Sequence, residues 1–222
     1  MNQYTLAQIK DKIKEDLDLQ EEIFIRPEEL LANINEAIRD AEAKIHTIYE
    51  DYFLVSANIP LVAGTSEYDL PTDIYANKIR GFVYADGSDY YPVRKLRKFE
   101  LIPYITSEEA YSFLIKNYST GKKIVLFPAS RITSSTALTC WYLRNAKQLV
   151  DDTDVCDIPE FVNYIVQKAK VLCMQKEGHP LLENAEKKLM DEDKLMVETL
   201  TVSIPDEDNR ISMDLSSYEE LS

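Results

Sequence analysis

The densest set of groups able to do chemistry in this chain is Asp151-Asp152-Thr153-Asp154-Val155-Cys156-Asp157. Carboxylates at alternate positions can hold a divalent cation, which would serve calcium binding or metal-assisted cleavage of a phosphodiester. The spacing departs from a calcium loop. Counting from Asp151 or from Asp152, no Gly stands at the sixth position and no Glu at the twelfth. Asp157, just ahead of Ile158-Pro159-Glu160, can instead begin a helix. The stretch therefore reads as a solvated loop and helix entry, with a metal-dependent nuclease as the distant alternative.

Other groups carry less. Thr120-Gly121-Lys122-Lys123 resembles the end of a phosphate-binding loop but lacks the upstream Gly and the hydroxyl residue after Lys. A turn between strands is the better reading. His46 falls inside a helical pattern and His179 in a turn, with no Cys or carboxylate at ligand spacing. Nothing singles out a nucleophile among Cys140, Cys156 and Cys173, and no G-x-S-x-G elbow occurs. In Trp141-Tyr142 and Tyr90-Tyr91, strand alternation should turn one ring of each pair to the core and the other outward. No catalytic residue, metal or cofactor is expected.

Composition points the same way. The 222 residues carry a formal charge of −14, 45% are hydrophobic, and there are 14 Tyr but only 5 Gly. Such a chain has enough apolar residues for a core. Its charge opposes binding to a phosphate backbone, which depends on Lys and Arg displacing counterions. Sequence-specific DNA recognition is therefore not expected; the charge is compatible with a wall that DNA passes without sticking and, more commonly, with mere solubility. The odd number of widely spaced cysteines and the polar start Met1-Asn2-Gln3-Tyr4 predict reduced thiols and no secretory leader. No apolar run approaches the length of a membrane span.

The elements that would position these residues fall into blocks. Leu6, Ile9, Ile13 and Leu17 predict a helix over residues 5–17. Residues 18–26 predict a loop. Pro27-Glu28-Glu29 opens a longer helix reaching about residue 50, with Leu30, Ile34, Ala37, Ala41, Ile45 and Ile48 as its buried stripe. Strands follow over 53–60 and 66–70, with a turn at Ala63-Gly64-Thr65 and a stop at Pro71. Asp73 is expected to cap a short helical turn over 74–76. Strands 78–85 and 90–94 flank the Asp86-Gly87 hairpin signal. A helix over 99–105, strands 111–118 and 123–127, and a last strand over 135–143 complete this region. Helix then resumes at Ile158-Pro159-Glu160, stops at Gly178, and restarts at Pro180 to about residue 197. The short connection predicts an antiparallel pair.

The fold class is thus α+β. A helical body, made of an N-terminal helix pair plus a C-terminal helical hairpin, carries an inserted compact antiparallel β region. The divisions are 1–52 for the N-terminal helices, 53–150 for the β region and 151–200 for the C-terminal hairpin, which packs with 1–52 as one helical body. Residues 201–222 form an acidic C-terminal arm. That arm retains Ile204, Ile211, Met213, Leu215 and Tyr218, more apolar residues than a solvated tail uses, so it reads as a segment that orders on a partner or neighbouring subunit. The bland alternative is a frayed terminus. Arg94, Lys95, Arg97 and Lys98 form a basic cluster that can meet an acidic face of a neighbour, such as the arm, or stay solvated.

Several of these pieces, in this order, resemble the head-to-tail adaptor (neck ring, head completion) proteins of short-tailed bacteriophages. The block Ile59-Pro60-Leu61-Val62-Ala63-Gly64-Thr65-Ser66-Glu67-Tyr68-Asp69-Leu70-Pro71-Thr72-Asp73 is similar to a strand, Gly-Thr turn and Tyr-x-Leu-Pro sequence of that family. Lys123-Ile124-Val125-Leu126-Phe127-Pro128 and Thr139-Cys140-Trp141-Tyr142 continue the likeness, as do Ile158-Pro159-Glu160-Phe161 and, upstream, Glu29-Leu30-Leu31-Ala32-Asn33-Ile34-Asn35-Glu36-Ala37. The resemblance spans roughly residues 4 to 199. It implies a structural virion protein of the neck, made in the host bacterial cytoplasm, that forms a homo-oligomeric ring of twelve copies. The implied partners are the portal protein and tail or further neck proteins, with the ring extending the DNA channel and no membrane involved. The rival reading is a non-viral acidic protein–protein interaction module.

Overall fold

The computed structural model describes residues 3–17, 25–86, 89–96, 111–132 and 137–202. Four α-helices and a curled seven-stranded sheet make a mixed α+β molecule.

The helices are α1 (Leu6–Leu17), α2 (Pro27–Ile48), α3 (Val162–Glu177) and α4 (Leu182–Val202). Thr5 and Gln8 start α1 with a reciprocal cap. The Thr5 N–H donates to the Gln8 side chain at 2.9 Å, and the Gln8 N–H to Thr5 Oγ1 at 3.3 Å. Pro27 opens α2, where its missing N–H costs nothing, and Glu28 and Glu29 lie at the positive end of the helix dipole. Leu6, Ile9 and Ile13 of α1, the α2 stripe, Ile165, Ala169 and Cys173 of α3, and Met196 and Leu200 of α4 share one buried cluster. Each helix covers the others' apolar faces. Polar contacts reinforce this at the rim: Lys44 of α2 donates to Tyr164 of α3 at 2.7 Å and to Asp193 of α4 at 2.6 Å, and Tyr164 donates to Asp40.

The strands are β1 (Leu54–Pro60), β2 (Glu67–Asp69), β3 (Ile74–Asp86), β4 (Asp89–Lys95), β5 (Ser112–Tyr118), β6 (Gly121–Phe127) and β7 (Ala137–Arg144). Their order across the sheet is β1-β7-β3-β4-β5-β6-β2. Residues 61–66 join the two outermost strands, and this forces the curl. Laid flat at about 4.8 Å per strand, β1 and β2 would stand about 29 Å apart. The connection reaches about 25 Å at full extension, and it is folded: the Thr65 N–H donates to the Val62 carbonyl, and the Tyr68 hydroxyl bonds back to Val62 and Thr65. Curling brings residues of every strand into a second core, including Ile59, Tyr68, Phe82, Tyr84, Val93, Phe113, Ile124 and Leu138. Phe82 and Phe113 meet edge to face at 4.6 Å although β4 runs between their strands.

The structure corrects some expectations. The sheet is not wholly antiparallel, because β4 pairs with β5 in parallel through Arg94↔Ser112 and Lys95↔Phe113. A parallel pair needs a long crossover, and residues 96–111 supply one. Asp73 does not cap a helical turn. Its carbonyl accepts the Asn145 N–H and its carboxylate the Tyr142 hydroxyl, which ties it to β7 and starts β3 at Ile74. A bulge follows, with Ala76 and Asn77 at φ +43° and +63°. α2 ends at Ile48 and gives way to a 3₁₀ turn over Glu50–Phe53, and α4 runs on to Val202. The helix expected over 99–105, most of the loop expected over 18–26 and the hairpin tip after Asp86 lie outside the described residues.

Gly178 closes α3 at φ +64°, with its own N–H and that of His179 donating to the Met174 carbonyl. An added Cβ would meet no atom within 4 Å, so Gly178→Ala isolates the backbone penalty. We expect a loss of about 1 kcal/mol, read as a fall in thermal midpoint of about 2–4 °C. An unchanged midpoint would show that the left-handed residue costs nothing here.

Candidate functional site

The stretch 151–157 is built to hold structure. Asp154 Oδ2 accepts the N–H groups of Val150 and Asp151 at 2.8 and 2.9 Å, and its Oδ1 accepts Lys147 Nζ at 2.7 Å. The Lys147 contact, with these two N–H bonds, holds the Asp154 carboxyl well below the usual carboxylate range. Asp157 Oδ2 accepts the Arg144 guanidinium and the Lys147 N–H. Asp152 accepts Lys10 Nζ at 2.7 Å. The backbone of the stretch also receives the start of α1. Leu6 N–H donates to the Asp154 carbonyl, Ala7 N–H to that of Asp152, and Thr5 bridges Val155. These bonds satisfy donors that a helix start leaves open. Among the described residues, no group of three or more His, Cys, Asp or Glu is gathered as a metal would need.

The other candidates are committed to packing. His46 is buried and stacks on Tyr75 of β3 at 3.8 Å, with Phe53 tilted against it at 5.2 Å. Neither ring nitrogen makes a hydrogen bond of good geometry, although the backbone of Glu50 and Arg144 lies close. Burial, then the nearby Lys78 charge, pushes its pKa down, so the ring is neutral. All three cysteines are free and buried. Burial raises the Cys140 thiol to about 12 and Cys156 to about 11, which leaves both without nucleophilic thiolate at neutral pH. His179 sits in the α3–α4 turn, where its Nδ1 accepts the Leu181 N–H. A groove of about 430 Å³ lies between α3 and α4, and its most buried polar groups are paired. Lys170 binds Asp16, and Gln167 donates to the Ala185 carbonyl.

Sequence reasoning missed the outer face of the sheet. The register places Ser56, Trp141 and Gly81 in one row, Asn58, Thr139, Val83 and Pro92 in the next, and Pro60, Ala137, Ala85 and Tyr90 in a third. None of these residues is buried and none is charged, in a chain that is 29% charged; Arg94, beside Gly81 in the β3–β4 register, borders the patch. Trp141 and Tyr90 are the largest groups on it, 43% and 72% exposed. The signal was available at alternate strand positions. Which strands lie side by side was not.

Tyr142 faces inward as alternation predicts, donating to Asp73, while Trp141 faces out. The Tyr90-Tyr91 pair departs from the expectation, since both rings are exposed. Tyr91 shares the inner face with Val93 but lies towards the β3–β4 turn, where Tyr111 is 6.3 Å away. Arg94 is exposed near the end of β4. Arg97 and Lys98 lie outside the described residues, as do Ile204, Ile211, Met213, Leu215 and Tyr218. No helix among the described residues is long and apolar enough to cross a membrane.

A family model described as SU10 adaptor protein matches residues 4–201. No curated protein matches the chain.

Two substitutions probe these assignments. Asp154→Asn should lower the thermal midpoint at about pH 7. Asp154 has a depressed folded pKa, so its stabilisation is full above the unfolded value near 4 and fades as pH falls below it. The gap between variant and native chain should therefore narrow in acid, and a gap constant with pH would refute the assignment. His46 has the opposite consequence. The unfolded chain binds a proton below about pH 6.5 that the folded ring resists, so stability declines as pH falls through that range. His46→Phe should keep the stack on Tyr75 and flatten that part of the pH–stability curve.

Proposed function

Because the chain belongs to the SU10 adaptor protein family, a phage head-tail adaptor family, we propose that it is the virion protein that joins the portal to the tail as a closed ring. The observation that carries this reading is the match over residues 4–201, nearly the whole chain. In this reading twelve copies surround the DNA channel and extend it from the portal towards tail or further neck proteins. The helices, the N-terminal pair packed with the C-terminal hairpin, form the ring body. The sheet region reaches towards neighbours. The acidic arm, through Ile204, Ile211, Met213, Leu215 and Tyr218, docks on the portal or next subunit, and Arg94, Arg97 and Lys98 offer a basic counterpart.

The physical chemistry supports assembly without turnover. The carboxylates that might have served a metal are bonded to Lys10, Arg144, Lys147 and backbone N–H groups. A net charge of −14 suits a channel wall along which DNA passes without adhering. Copies this acidic repel one another, so close contact favours surfaces without charge, and the uncharged rows on the outer sheet face are one.

The test is electron cryo-microscopy and mass photometry of the protein mixed with portal assemblies from short-tailed phages. The expected result is a portal-bound ring whose added mass is a twelvefold multiple of 25.6 kDa. Failure to bind any portal would overturn the reading and favour a free-standing interaction module.

A further inference from the structure

β1 is an edge strand of an unusual kind. Its seven residues, Leu54–Pro60, contain no charge, and β7 is its sole strand partner. Among the described residues, only the Leu54 N–H, which donates to the Asp51 carbonyl, bonds to backbone outside β7; from Val55 to Pro60 no such bond is made. Proteins normally guard such an edge with lysines, bulges or a covering element, because its open N–H and C=O groups attract a further strand. Among the described residues, Pro60, at the end, is the only guard. On the core side, Val55 and Ala57 are only partly buried, so the inner core is left incompletely covered along this edge. The opposite edge of the curled sheet, β2, is likewise paired on one side only.

The chain carries a segment with matching chemistry. Ile211-Ser212-Met213-Asp214-Leu215 alternates apolar and polar residues with the period of a strand that has one buried face. We propose that this segment, supplied by a neighbouring copy, adds to the free edge of β1, with Ile211, Met213 and Leu215 continuing the row of Val55, Ala57 and Ile59. The inference rests on the ring reading above and names the contact that would link successive subunits.

For antiparallel pairing, the arrangement of most strand pairs in this sheet, reach favours a neighbour over the segment's own chain. Glu29 of α2 pairs with Lys176 of α3, and Lys44 with Tyr164, so these helices run antiparallel; the α3–α4 turn reverses the chain again, and Lys44 meets Asp193. α4 thus runs alongside α2 and ends towards the 3₁₀ turn from which β1 departs. To pair antiparallel with its own β1, the segment would first travel the strand's length, about 20 Å, and then reverse. Residues 203–210 bridge about 32 Å at most, so the strand's length and the reversal together use most of it. A segment arriving from a neighbour at the Pro60 end carries no such constraint. Strand addition also lets main-chain bonds supply affinity while the side chains set the register.

Disulfide trapping in the full-length chain tests this. Ala57→Cys is combined in turn with Ile211→Cys, Met213→Cys and Leu215→Cys, since a bridge forms only when the Cα atoms approach to about 4.4–6.8 Å. The native cysteines are buried, and chains with one engineered cysteine serve as controls. Oxidation is run on the protein alone and on the portal-bound assembly. A ladder of covalent oligomers in a double variant, absent from the single variants, is the expected result. An intramolecular bridge would overturn the proposal by assigning the segment to its own chain. A portal-bound ring with no bridge would overturn it while leaving the ring reading intact, and a chain that neither assembles nor cross-links would overturn both. In parallel, the triple change Ile211→Asp, Met213→Asp and Leu215→Asp should reduce the assembled fraction severalfold with the thermal midpoint of the free chain unchanged. Undiminished assembly would count against the contact.

Discussion

The join between helices and sheet rests on a few polar side chains of α2. Glu42 is buried and accepts the Ala146 N–H at 2.6 Å. Burial raises its carboxyl above the ordinary range, against the opposing pull of that hydrogen bond. About two turns earlier, Asn35 pairs with Leu149 as a backbone would, its amide donating to the carbonyl at 2.8 Å and its oxygen accepting the N–H at 2.9 Å. The segment leaving β7 has no strand partner of its own, so these side chains satisfy groups that would otherwise be buried without one. Arg144, over the Phe53 ring at 5.1 Å and bonded to Asp157, completes the join. The line on which α2 ends and β1 begins follows from these contacts.

The second constraint is the short connection between β1 and β2. It curls the sheet until all strands contribute to one core. It also leaves two strand edges unpaired and one sheet face turned to solvent. A closed barrel would have removed the edges. An open one keeps a place for another chain.

Charge is distributed to the same effect. Many carboxylates of this acidic chain are engaged internally: Asp16 with Lys170, Asp40 with Lys44, Asp51 with Arg80, and the 151–157 acids with their loop and α1. Most of these pairs are partly exposed and individually weak, so their role lies in orientation more than in stability. Three rows of residues on the outer face of β1, β7, β3 and β4 carry no charge, with Arg94 at their border. In a family of head-tail adaptors, a neutral face and an open edge on an acidic body are features that suit assembly.

The sequence by itself determined the helices, because a 3.6-residue period, Pro27 at a start and Gly178 at a stop are local physics. Most strands could be placed within a few residues from alternation and turn residues, and the ordered motifs carried the family resemblance. The fate of Asp73 was not legible, since the partners that draw it into β3, Tyr142 and Asn145, lie about seventy residues away. Nor was the parallel β4–β5 pair, because strand order is a matter of long-range pairing and leaves no local trace. The same holds for the site. The acids at 151–157 looked alike in sequence, and only folding gave Asp152 and Asp154 a lysine each and Asp157 an arginine. Only the tertiary structure decided that uncharged residues from four separate strands form one surface, since a face exists only once the neighbours across the sheet are chosen.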